Sequence, residues 1–153
     1  MRPSPSQLRL ASLGLFGVLG VFMVAFGALY ASVQSMLPFH AAAVPAHALG
    51  DVRPLYFALM KLIGGASAGL GLLGLYVTFG PLRRGAPGAA TALFATYAVP
   101  IVMAAIVAEH LAAATGAPTS WHIMGVLMAI NAAALGAHAL ARRTGHPSLL
   151  APS

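Results

Sequence analysis

Residues 55–79 read LYFALMKLIGGASAGLGLLGLYVTF, and this stretch decides the fold. It contains one charge, Lys61, and as a helix rising 1.5 Å per residue it would run about 37 Å, enough to cross a hydrocarbon layer of about 30 Å. Five glycines, at 64, 65, 69, 71 and 74, would weaken a helix in water. In lipid they have a use, because Gly65 and Gly69, like Ser67 and Gly71, are four residues apart and let a second backbone approach closely. The stretch therefore reads as a membrane-spanning helix and as the packing centre of its bundle.

Three more apolar windows of spanning length flank it, at 10–34, 90–113 and 121–141. Composition agrees: 59% of the 153 residues are hydrophobic and 7% charged, too little polar surface for a soluble domain of this size. The expected fold is an all-α integral membrane protein, one four-helix transmembrane domain with up-down antiparallel connections. The short turns at 80–88 and 114–120 make sequential helices neighbours. The first window, preceded by Arg2 and Arg9, is too long for the apolar core of a cleaved signal and is kept as a permanent helix. Gly14, Gly17 and Gly20 in that window, and Ala104, Ala108 and Ala112 in the third, repeat the small-residue theme. Residues 144–153, with Pro147 and Pro152 among small and polar neighbours, read as a disordered tail.

The net charge of +6 does not point to nucleic acid, because the basic residues sit singly or in pairs at helix ends without interleaved aromatics. Six of the eight fall on one side, at Arg2, Arg9, Arg83, Arg84, Arg142 and Arg143. By the positive-inside rule that side and both termini are cytoplasmic, and in a bacterial inner membrane the loop over 35–54 faces the periplasm. The absence of cysteine excludes disulfides, thiolate metal sites and cysteine nucleophiles. No P-loop, GxGxxG, HExxH, GxSxG or paired carboxylates occur, so enzymatic chemistry is not expected.

Intramembrane ionisable residues are functional candidates because burying them is costly. Lys61 and Glu109 fall near the outer ends of the second and third windows, at comparable depth, and are expected to pair. Lys61 shares its face with Gly65 and Gly69, which would turn it toward the packed seam. His40, His47, His110 and His122 collect on the same outer side with Glu109 and Asp51, a donor set that suits copper or zinc. Gly50, Pro45 and Pro54 argue against a helix that would fix His47 and Asp51 on one face. Haem would need two inward histidines at one depth, and only His110 and His122 approach that. In mid-membrane, Pro100 deprives the Thr96 carbonyl of its donor, and Asn131 is placed to bond that freed backbone. Gly116 should end the third helix, Thr119 or Ser120 should cap the fourth, and Trp121 suits the interface.

The leading expectation is a non-catalytic accessory or scaffold subunit, packed through its glycine-rich faces into a larger membrane complex such as an energy-converting one. Two alternatives stand beside it. One is a small oligomeric proton-coupled transporter using Lys61 and Glu109; the other is a periplasm-facing metal or redox module built on the histidines.

Overall fold

The computed structural model describes residues 3–116 and 119–145. All of its regular structure is helical, and four helices are long and apolar enough to cross a membrane. The elements are α1 (Pro5–Ala31), a one-turn α2 (Pro38–Ala41), a 3-10 turn (Ala46–Ala48), α3 (Leu49–Val77) continued by a π-helical turn (Thr78–Leu82), α4 (Ala89–Thr115) and α5 (His122–Gly145).

Local chemistry sets the ends. α1 starts five residues before the apolar window because Ser4 and Gln7 form a capping box: Ser4 Oγ accepts from Gln7 N at 3.3 Å, and Gln7 Oε1 accepts from Ser4 N at 2.8 Å. Pro5 at the first helical position needs no donor there. α1 stops at Ala31 rather than 34, where Ser32 N–H bonds Ala28 O and Ser32 Oγ donates to Leu29 O.

α3 starts earlier than expected, at Leu49, and runs through Gly50 and Pro54. The proline costs one ladder bond at an exposed end, and Asp51 in the first turn complements the positive end of the helix dipole. At its other end Pro81 offers no N–H to the carbonyl four residues back. The ladder slips to the wider π spacing, Arg83 N to Thr78 O at 3.2 Å. Gly85 and Gly88, both at φ 78°, carry the reversal into α4. Gly116, at φ 68°, ends α4 as expected, its N–H bonded to Ala112 O. α5 continues through Gly145, so residues 144 and 145 of the expected tail are helical; 146–153 lie outside the described residues.

Pairwise contacts give the antiparallel register. A Cβ added to Gly27 would lie 2.5 Å from Ala68 N and Gly64 O, one added to Gly71 would lie 2.7 Å from Gly20 O and Val24 N, and Gly17 faces the Phe79 ring. At these points the backbones of α1 and α3 touch. The buried positions of α3, Tyr56, Met60, Gly64, Ser67, Gly71 and Gly74, and Thr78 just beyond it, advance by threes and fours and so form one helix face. α4 and α5 pair through Phe94 with Asn131 and Ala108 with Thr119.

The packing centre is α1, not the glycine-rich α3. α1 lies along both α3 and α5, whereas α3 and α4 barely touch and meet where Tyr97 rests on Gly74. The core follows α1: Phe16, Leu19 and Met23 pack with Leu93, Tyr97 and Ile101 of α4 and Leu127 and Ala134 of α5. Beyond Ile101, α4 buries no residue.

Candidate functional site

Neither end of the bundle assembles the expected charge pair. A Cβ on Gly64 would sit 2.5 Å from Ala31 N, at the last residue of α1. Lys61, three residues nearer the start of α3, is exposed about 4.5 Å beyond the end of α1. Glu109 does not meet it. Its Oε1 accepts from Trp121 N at 3.0 Å and so caps the start of α5 from a neighbouring helix. The cap was expected from Thr119 or Ser120. Thr119 Oγ1 instead donates to Ala108 O at 2.7 Å, and Ser120 Oγ bonds His122 Nδ1 at 2.8 Å.

The four histidines are not gathered either. His47 and His110 are exposed, and His122 stacks on Trp121 with ring centroids 4.7 Å apart. His40 folds onto α3, where Tyr56 Oη accepts from Leu37 N at 3.2 Å and shares a hydrogen bond with His40 Nδ1 at 3.0 Å. Burial pushes the His40 pKa down, favouring the neutral ring at this contact. Among the described residues no three His, Asp or Glu side chains stand close enough to hold a metal ion.

Asn131 does bond helix α4, but at Phe94 rather than Thr96. Its Nδ2 donates to Phe94 O at 2.9 Å while the side chain is fully buried. The two carbonyls lie about 200° apart around the helix, and Thr96 is not on the Leu93–Tyr97–Ile101 core stripe that faces α5. Thr96 and Pro100 are half-buried.

Two features remain that the monomer does not use up. The first is the outward face of α3. Ser67 and Gly71 are consumed against α1, but Gly65 and Gly69 have open space where a Cβ would be, and Leu62, Leu72 and Tyr76 stand out beside them at 68, 60 and 71% exposure. The small-residue face read from the sequence is thus two faces, one filled and one free.

The second feature escaped sequence reasoning, which treated the arginines as orientation signals only. Where the first turn of α1, the turn before α4 and the last turns of α5 converge, a pocket of about 470 Å³ opens between Ser6, Arg9, Gly85, His138 and Arg142. Arg9 Nη2 donates to Arg83 O at 2.7 Å, tying α1 to that turn and fixing one wall. A shallower groove continues from it past Leu10 and Leu13. The available signal was the i, i+4 spacing of His138 and Arg142, with Arg9 at the same end of an antiparallel neighbour.

Four spanning helices, an exposed apolar girdle and these two surfaces define a multi-pass helical membrane protein. Compared with known protein families, curated proteins and solved structures, the chain matches none.

Proposed function

We propose that the chain is a non-catalytic accessory or scaffold subunit, held in a larger membrane assembly through the outward face of α3. The observation carrying this reading is the free pair Gly65 and Gly69. Each exposed glycine costs a helix about 1 kcal/mol relative to alanine. The glycines at 64 and 71 recover such a cost by backbone contact with α1, whereas those at 65 and 69 have no such contact among the described residues. A transmembrane helix of another protein, with its own small residues, fits this groove between Leu62 and Tyr76. Lys61 at the outer rim of the same face offers a cation to an acidic residue on that partner.

The orientation in this reading follows the arginines: both termini and the pocket on the cytoplasmic side, and the His40 segment on the periplasmic side of a bacterial inner membrane. The test is mild-detergent purification from native membranes with quantitative mass spectrometry. Wild type should carry a stoichiometric membrane partner, and Gly65→Leu with Gly69→Leu should lose it while the chain itself stays folded. Wild type without a partner, or a double variant that retains it, contradicts the reading.

A further inference from the structure

The pocket at the arginine end has no acidic side chain among the described residues that line it. The chain has only two acidic residues, Asp51 and Glu109, and both lie at the far end of the bundle. Arg9, Arg83, Arg84, Arg142 and Arg143 therefore gather at one end with no Asp or Glu side chain beside them, and Arg9 and Arg142 both line the open pocket. The first turn of α1 adds the positive end of a helix dipole at Ser6. Anchoring of Arg9 to the Arg83 carbonyl uses Nη2, leaving the rest of its guanidinium fork available.

We infer that this pocket binds the phosphate of an anionic phospholipid headgroup. Arginine forks match phosphate oxygens in geometry and charge, and His138 and the Ser6 hydroxyl, the latter also bonded to Ser4 Oγ at 3.0 Å, line the same pocket as shorter polar groups. The adjoining Leu10 and Leu13 groove selects lipid over a soluble phosphate, because it leads apolar surface directly away from the charged site along α1, where an acyl chain would lie. Basic pockets between helices at a membrane face hold anionic headgroups in this way. Gly85, at the pocket's edge, holds φ 78°, a left-handed backbone conformation that favours glycine over any residue with a side chain.

The test uses the full chain in detergent, stripped of lipid, with thermal unfolding followed after adding short-chain phosphatidylglycerol, phosphatidylcholine or inorganic phosphate. Phosphatidylglycerol should raise the Tm of wild type by about 5 °C at saturation, and the other two should raise it far less. Arg9→Gln with Arg142→Gln should weaken the phosphatidylglycerol response by about tenfold in concentration, whereas Arg53→Gln at the far end should leave it unchanged. Should the double variant not fold, Arg142→Gln alone, which leaves the Arg9–Arg83 tie intact, replaces it with the same expectation. Equal protection by phosphatidylcholine overturns the site, as does an undiminished response in the arginine variants. Equal protection by inorganic phosphate overturns lipid as the ligand.

Discussion

Tyr97 shows at one residue how size and polarity separate in this core. Its side chain is fully buried beside Gly74 and Gly20, yet among the described residues its hydroxyl has no hydrogen-bond partner. Burying an unpaired hydroxyl is unfavourable, so removing only that atom should cost nothing. Tyr97→Phe is expected to unfold in denaturant at the same midpoint as wild type or slightly above it, whereas Tyr97→Ala should lose about 3 to 5 kcal/mol. His40 carries the opposite logic, since its bond is made. With its pKa held below the ordinary ~6.5 by burial, the unfolded chain binds the extra proton first as pH falls. Stability from this contact is therefore full above about pH 6.5 and is lost as pH falls through the lower folded value. Melting curves at pH 7.5 and 5.5 should show that loss in wild type and less of it in His40→Gln. Neither residue was singled out correctly from the sequence: Tyr97 was one apolar residue among many, and His40 looked like a ligand because its partner, Tyr56, lies sixteen residues away across a turn.

At the scale of the element, α3 was legible in kind and misread in direction. Its length and glycines were evident, but a spacing of four describes two helix faces equally well, Gly65 with Gly69 and Ser67 with Gly71. Only contact with α1 distinguishes them. Gly71→Leu should destabilise the bundle by on the order of 3 kcal/mol, because an added Cβ already meets Gly20 O and Val24 N at 2.7 Å and backbone cannot step aside. Gly65→Leu, with open space, should leave monomer unfolding unchanged. Steric-trap or denaturant unfolding in the same detergent compares the two directly. The ends of α1 and α3 were less legible. Windows of apolar residues do not register a capping box at Ser4, and a proline six residues into a helix reads as a breaker although it removes one bond at a wet end. Glu109 belongs here too: a carboxylate twelve residues before Trp121 becomes its helix cap only because α4 and α5 fold back on each other.

For the whole molecule, hydropathy and turn length were enough to reach four spanning helices, because a bilayer leaves few other options for chains of this composition. Which helix sits at the centre was not legible. That depends on α1 presenting Phe16, Leu19 and Met23 toward α4 and α5 while Gly20 and Gly27 face α3, an arrangement with no signature in a single chain. The pocket at the arginine end was hidden for the same reason, being assembled from residues 6, 9, 85, 138 and 142. The central claim is that the free face of α3 is occupied by another membrane protein. Because the chain has no cysteine, a single one can be introduced at position 69, labelled with a benzophenone maleimide and irradiated in native membranes. The account predicts a discrete adduct heavier than the chain, carrying peptides of a different protein, from position 69 and none from position 14, which is equally open on α1. Lipid adducts alone at both positions, or a product made of two copies of this chain, would contradict it.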